Sequence, residues 1–150
     1  MNTKTRQWLV PGLAALVAVT AFVKAWFTAQ AVSVGLWGIE VCDHGCQSIR
    51  WDNVPGAQDD LYIAGYIAFA AAIVGAATSV VPVFATAVTK VGGRALRVAR
   101  ISLTIAFLAM LYFITRAIAL DGMNGVNISW ALPLCPAATI ALRQVLPRPS

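Results

Sequence analysis

The stretch Leu61–Phe84, LYIAGYIAFAAAIVGAATSVVPVF, carries no charged side chain and decides the fold class of this chain. A helix needs about 20 consecutive apolar residues to cross a hydrocarbon core of about 30 Å. Comparable apolar stretches recur elsewhere in the 150 residues. Because lipid offers no hydrogen-bond partner to an irregular backbone or an open strand edge, we expect these stretches to be helices. The sequence therefore predicts an integral membrane protein.

The overall composition supports the same interpretation. The chain is 59% hydrophobic and 11% charged, whereas soluble domains average about 25% charged residues. Apolar segments at about residues 8–28, 61–84, 101–120 and 126–142 are predicted as membrane spans, with an outer loop at about 29–60. The expected fold is an all-α, four-transmembrane-helix bundle that forms a single membrane domain over residues 1–150.

Charged residues are segregated along the chain. The basic residues that flank the predicted spans on one side are Lys4, Arg6, Lys90, Arg94, Arg97, Arg100, Arg143 and Arg148. The acidic residues, all on the other side, are Glu40, Asp43, Asp52, Asp59, Asp60 and Asp121. Because short loops rich in Lys and Arg stay cytoplasmic, both termini are predicted to be cytoplasmic, in a plasma membrane or a bacterial inner membrane. The net charge of +5 is thus a topology signal, and no nucleic-acid partner is predicted.

The first apolar segment also has features of a secretory signal. Lys4 and Arg6 precede it, and Ala29–Ala31 resembles a small-residue cleavage site. Lys24 and Trp26 interrupt the segment just before that site. A retained first helix is preferred for this reason, although cleavage stays open.

The predicted outer loop contains the pattern of a β-hairpin. Residues 32–41 are rich in β-branched and aromatic side chains, which favours a strand, and residues 47–51 are a candidate returning strand. Between Cys42 and Cys46 lie three residues that include a glycine, a plausible hairpin connection. An outside location is oxidising, so we expect a Cys42–Cys46 disulfide that pins the hairpin.

The loop carries a family resemblance at Gly35, Leu36 and Trp37, followed by Cys42 and Cys46. This pattern resembles the claudin and peripheral-myelin-protein superfamily, although the cysteine spacing here differs from the usual one. That family has a GLW motif and two disulfide-bonded cysteines on a small extracellular sheet over a left-handed four-helix bundle. The resemblance implies that Trp37 anchors the sheet at headgroup depth and that the disulfide is structural.

The function implied by this resemblance is a non-enzymatic structural or interaction role, in which acidic side chains of the loop face a partner. The expected partners are the lipid bilayer and either a second copy of the chain or another membrane protein. An accessory subunit of a transporter or a respiratory complex is an alternative. No catalytic residue is predicted.

The same cysteines leave a redox interpretation open. Four-span enzymes that pass electrons from thiols to a membrane quinone carry closely spaced cysteines in an outer loop, but Cys42 and Cys46 do not form the reactive CxxC motif. A second redox pair is also needed, and only Cys135 remains. A metal site formed by Cys42, Asp43, His44 and Cys46 is too crowded for a tetrahedral shell. No metal and no cofactor are predicted.

Two charged residues lie within apolar stretches. Lys24 and Arg116 are intramembrane charges, which are functional candidates by default. Both lie near the predicted outer ends of their spans. There each can reach the interface or pair with Asp59, Asp60 or Asp121, so we expect a structural role for both and leave a role in ion or substrate passage open.

The second predicted span carries small residues at helical spacing. One row is Ala68, Ala72 and Ala76, and the adjacent row is Ala71, Gly75 and Ser79. Such rows let helices approach closely in lipid. They are predicted to be packing surfaces, either inside the bundle of this chain or for a partner.

Overall fold

The computed structural model describes residues 3–29, 31–53, 59–84, 90–121 and 127–147. Within these ranges the chain forms four α-helices and one five-stranded antiparallel sheet. In chain order the elements are α1 (Thr3–Phe22), β1 (Phe27–Ala29), β2 (Val32–Val34), β3 (Gly38–Cys42), β4 (Cys46–Arg50), a 3-10 turn (Trp51–Asn53), α2 (Asp59–Phe84), α3 (Lys90–Asp121), β5 (Asn127–Ile128) and α4 (Ala131–Val145).

The two longest helices, α2 and α3, pack against each other along the molecule. Their segments Asp60–Val83 and Gly92–Ala119 are long and apolar enough to cross a membrane, with mean hydropathy 1.9 in both. At about 1.5 Å per residue each exceeds the thickness of a hydrocarbon core of about 30 Å. The second and third predicted segments are therefore helices. Helix α3 begins at Lys90, before the predicted start at about residue 101, and its first turns contain the basic residues.

The prediction of four transmembrane helices is wrong. Among the described residues, only α2 and α3 have the necessary length and apolarity, whereas the apolar part of α1 is the shorter segment Gln7–Phe22. Helix α4 has 15 residues and is about 22 Å long, less than the core thickness. The segments predicted at 8–28 and 126–142 are shorter because their apolar residues are divided between helix and sheet. Phe27–Ala29 and Asn127–Ile128 pair as strands instead of extending the helices.

The four helices pack together, with α1 against α2 and α4, and α3 against α4. Gln7 and Trp8 near the start of α1 line one groove with Val83 near the end of α2. Arg100, in the third turn of α3, donates hydrogen bonds to the carbonyl oxygens of Leu146 and Pro147. The start of α1, the end of α2, the start of α3 and the end of α4 therefore lie at one end of the molecule, which we call the basic end.

The sheet at the opposite end is larger than the predicted two-stranded hairpin, so that prediction is wrong as well. Strand order is β4-β3-β2-β1-β5. The hairpin itself is present, since β3 pairs with β4 from Gly38 opposite Arg50 to Cys42 opposite Cys46. An isolated hairpin is marginally stable in water, so its open edge gains from further strands. Strands β2 and β1 extend the sheet beyond β3. Strand β5, which follows α3 in the chain, pairs with β1 and forms the other edge.

The sheet is attached to the helices through buried aromatic side chains. The rings of Trp26 and Trp51 both contact Phe113 of α3 edge-on, at centroid distances of 6.3 Å. The Trp26 indole N–H donates to the carbonyl oxygen of Thr20 at 3.1 Å, and that of Trp51 donates to the carbonyl oxygen of Leu36 at 3.2 Å. Because aromatic pairs favour edge-to-face contacts and both N–H groups are satisfied, this cluster fixes the sheet on α3.

Candidate interaction surface

The tip of the β3–β4 hairpin is closed by a disulfide between Cys42 and Cys46, as the sequence predicted. Asp43, His44 and Gly45 form the connection, and His44 adopts the left-handed region with φ 59°. The side chains of Asp43 and His44 are 82% and 99% exposed. The tip therefore projects into the surroundings with the disulfide at its base.

Strand β4 forms one edge of the sheet, and most of its side chains are exposed. Arg50 at its end lies 3.5 Å from Asp52, whose carboxylate also accepts a hydrogen bond from the Tyr66 hydroxyl at 3.2 Å. Hydrogen bonding with Tyr66 and the charge of Asp52 raise the pKa of Arg50 above its ordinary value. This edge strand presents an unpaired backbone together with polar side chains.

Residues Gly35, Leu36 and Trp37 lie in the turn between β2 and β3. The Gly35 N–H donates to the carbonyl oxygen of Gly38 at 2.9 Å, and a Cβ at Gly35 would lie 3.0 Å from the backbone of Lys24. Leu36 is fully buried. The motif is therefore packed closely between the sheet and the segment that follows α1, and a side chain at its first position would press on the backbone of Lys24.

Trp37 has a more polar environment than the other two residues of the motif. The Lys24 Nζ lies 5.4 Å from the centre of its ring, within cation–π distance. Within the described residues, the buried indole N–H of Trp37 has no hydrogen-bond acceptor. Anchoring at headgroup depth stays a prediction for this residue.

The two charges that the sequence placed within membrane spans, Lys24 and Arg116, both have acidic partners, and Lys24 lies after the end of α1, in neither of the two candidate spans. Lys24 pairs with Glu40 of β3 at 3.3 Å, a carboxylate that sequence reasoning did not select. Arg116 of α3 pairs with Asp60 of α2 at 2.7 Å, and the Tyr112 hydroxyl donates to the same carboxylate at 3.1 Å. Both pairs lie at the sheet end, where they join the helices to the sheet and to each other. The side chains of the other two expected partners, Asp59 and Asp121, lie outside the described part of the chain.

The small-residue rows of α2 lie largely inside the molecule. Ala68, Ala72, Ala76 and Ser79 are buried, and Ala71 is partly buried against the core. A Cβ at Gly75 would lie 2.8 Å from the Leu103 side chain of α3, so this glycine sets the close approach of the two helices. These rows pack the chain's own helices, as one of the two predicted interpretations held, and they are not the exposed face of α2.

Large apolar side chains occupy the outward faces of the helices instead. On α2 and α3 these exposed residues are Ile63, Ile67, Val74, Val81, Val98, Ile101, Ile105, Leu108 and Leu111. Only 28% of each apolar segment is buried inside the molecule. A soluble monomer rarely exposes a contiguous apolar patch of this extent. The helices thus have small residues inside and large apolar residues outside.

The three cysteines form one disulfide and one buried thiol. The disulfide removes both thiolates from the proposed cluster of Cys42, Asp43, His44 and Cys46. In the ranges that the structure covers, no three His, Cys, Asp or Glu side chains converge as metal ligands. Cys135 is buried in α4, with its Sγ 4.0 Å from the carbonyl oxygen of Val17.

Compared with protein-family models and with curated proteins, the chain finds no match. The resemblance to the claudin and peripheral-myelin-protein superfamily stays a prediction from residues 35–46. Sequence reasoning missed the strands β1 and β5 and the attachment at Phe113. The alternation of β-branched and polar residues in 32–34 was a signal for strand, but nothing in residues 127–128 identifies their distant partner.

Proposed function

We propose that this chain is an integral membrane protein whose helices α2 and α3 cross the bilayer. The observation that carries this proposal is the arrangement of side chains on these helices, with small residues packed inside and large apolar residues exposed outside. In water that arrangement would expose most of two helices of mean hydropathy 1.9. In lipid the exposure of these side chains carries no free-energy penalty, because the acyl chains are as apolar as the side chains. Close packing of the small residues supplies the attraction between the helices.

We further propose that the sheet faces the outside and that the basic end is cytoplasmic. The positive-inside rule supports this orientation, because Arg94, Arg97 and Arg100 of α3 and Arg143 of α4 lie at the basic end. The described acidic side chains belong to the sheet or its neighbourhood, where Arg116 pairs with Asp60. Both termini would then be cytoplasmic. Helices α1 and α4, which are shorter, would then also run between the cytoplasmic and the outer end, packed alongside the crossing pair.

The proposed role is structural, as in claudin-like proteins, with the sheet binding a second copy or another membrane protein. The exposed edge strand β4 and the projecting disulfide tip support this role, because they are the parts of the sheet open to a partner. The polar character of β4 favours binding by backbone pairing and side-chain hydrogen bonds.

Engineered cysteines test the membrane orientation. Ser48, exposed on β4, and Gln144, exposed near the end of α4, are replaced one at a time by cysteine in intact cells. A membrane-impermeant thiol reagent is expected to label Ser48→Cys directly and Gln144→Cys only after permeabilisation. Equal labelling of both variants in intact cells, or recovery of the chain in the soluble fraction, would contradict the proposal.

A photo-crosslinking residue at the same two positions tests the interaction role. We expect a defined membrane-protein or self adduct from position 48 and none from position 144. If position 48 gives no adduct in native membranes, the sheet is not a binding surface. Labelling of Cys42 and Cys46 separates this role from thiol oxidation: a structural disulfide needs strong reductant before it reacts, whereas a catalytic one equilibrates with mild thiol couples.

A further inference from the structure

The basic end carries arginines at a single level of the α3–α4 pair. Helix α3 has 32 residues and is about 48 Å long, so about 18 Å of it lies beyond a hydrocarbon core of about 30 Å. That excess corresponds to about 12 residues, which matches the basic segment from Lys90 to Arg100. The arginines of this segment are therefore placed at the depth of lipid headgroups if α3 crosses the bilayer.

Two arginines are held in position by contacts between α3 and α4. The Arg143 Nε donates to the Thr104 hydroxyl at 2.8 Å, and that hydroxyl donates to the carbonyl oxygen of Arg100 at 2.7 Å. Arg100 in turn donates to the carbonyl oxygens of Leu146 and Pro147, directly after α4. Arg143 is exposed, and its bond to Thr104 uses only Nε, so the Nη donors are still available.

Among the residues that the structure describes, these arginines have no acidic partner. Arg94, Arg97 and Arg143 are exposed, and none of the ion pairs in the described ranges involves them or Arg100. All six acidic residues occupy other parts of the chain, at the sheet or at the opposite ends of α2 and α3. Over the described residues, the basic end is thus a cationic surface without an acidic side chain.

The surface continues directly into an apolar stripe. Arg97, Ile101 and Leu108 follow one another at spacings of four and seven residues and share a face of α3. Ile101 and Leu108 are 54% and 59% exposed. A cationic patch above an exposed apolar stripe on the same face matches the two halves of an anionic phospholipid, with its phosphate at the arginines and its acyl chain along the stripe.

We propose that the basic end of α3 and α4 is a binding site for the headgroups of anionic phospholipids, centred on Arg97 and Arg143. This inference rests on the proposed membrane location. Each arginine near an anionic membrane surface is expected to strengthen binding about fivefold. The full chain should therefore prefer phosphatidylglycerol to phosphatidylcholine by about 25-fold when two arginines contact the headgroup.

Native mass spectrometry of the full chain in non-ionic detergent measures this preference, with the two lipids carrying the same acyl chains. The double variant Arg97→Gln/Arg143→Gln is expected to bind both lipids alike. The double variant Arg97→Lys/Arg143→Lys keeps the charges and is expected to retain most of the preference. Arg50→Gln, which removes one exposed cation from the sheet end, is the matched control and is expected to change nothing.

Carbonate extraction of the membranes precedes the lipid measurement, so that the two proposals fail separately. A chain released by carbonate overturns the membrane location and the lipid site together. A chain that resists extraction but binds both lipids equally overturns the lipid site alone. Displacement of phosphatidylglycerol by millimolar inorganic phosphate would also overturn it, since the site would then accept a soluble anion. Circular dichroism of each variant verifies that the fold is retained. If Arg143→Gln unfolds the chain, the single variant Arg97→Gln decides the test, because Arg97 touches no described partner.

Discussion

Replacing Phe113 by alanine tests how the sheet is held on the helices. Phe113 is fully buried and contacts the rings of Trp26 and Trp51 at 6.3 Å each. Truncation of a buried phenylalanine costs about 3–5 kcal/mol of unfolding free energy. Two aromatic contacts are lost at once, each worth up to about 1.5 kcal/mol beyond burial, so we expect a value near the upper end, about 4–5 kcal/mol.

The expected change is large enough to measure as a melting temperature. For a chain of this size, 1 kcal/mol corresponds to about 2–4 °C, so Tm should fall by about 8–20 °C. Circular dichroism at 222 nm in detergent follows the helices, and tryptophan emission, recorded with Trp8, Trp37 and Trp130 replaced by phenylalanine in both the parent and the variant, follows the cluster around Trp26 and Trp51. The emission of the variant should shift to the red, because water reaches the two indoles once the ring is removed.

Leu108→Ala is the matched control on the same helix. Leu108 is 59% exposed and lies on the outward face of α3, so its truncation should change stability by less than about 0.5 kcal/mol. If Phe113→Ala lowers Tm no more than Leu108→Ala does, the aromatic cluster does not hold the sheet. An unchanged tryptophan emission in the Phe113 variant would refute the same reasoning independently of stability.

Two further predictions concern the helices. Gly65→Ala should lower Tm, because its Cβ would collide with the carbonyl oxygen of Leu36. Gly12→Ala meets open space and should raise stability by up to about 1 kcal/mol. Thermal melts of the two variants should therefore shift in opposite directions, and a matching rise for both would contradict the close approach at Gly65. A double-mutant cycle with Asp60→Asn and Arg116→Gln should give a coupling of about 0.5–1 kcal/mol, since both side chains are 39% exposed and solvent weakens the pair; additive effects would show that the ion pair does not join α2 to α3.

Sequence reasoning succeeded where the signal was local. The uncharged run 61–84 predicted α2, and the run 101–120 predicted most of α3. The Cys42–Cys46 disulfide and its three-residue connection also followed from adjacent residues. These predictions held because apolar length, turn chemistry and cysteine spacing are properties of contiguous segments.

Errors arose where an apolar residue was suited both to a membrane helix and to a strand. Phe27 and Ile128 were assigned to helices that cross lipid, but they pair with each other as Cα partners in the sheet. β-branched and aromatic residues suit both environments, so composition alone does not separate them. Strand pairing satisfied their backbone groups and shortened α1 and α4.

The sequence by itself determined that the segments 61–84 and 101–120 are helices apolar enough for a bilayer, that the charges are segregated along the chain, and that Cys42 and Cys46 close a hairpin with a disulfide. Only the tertiary structure decided which faces of those helices are buried, which carboxylates neutralise Lys24 and Arg116, and that Thr28 meets Asn127 across 99 residues of chain. The physical reason is that charge and hydropathy act residue by residue, whereas a five-stranded sheet forms only when segments far apart in sequence are brought together by the packing of the helices between them.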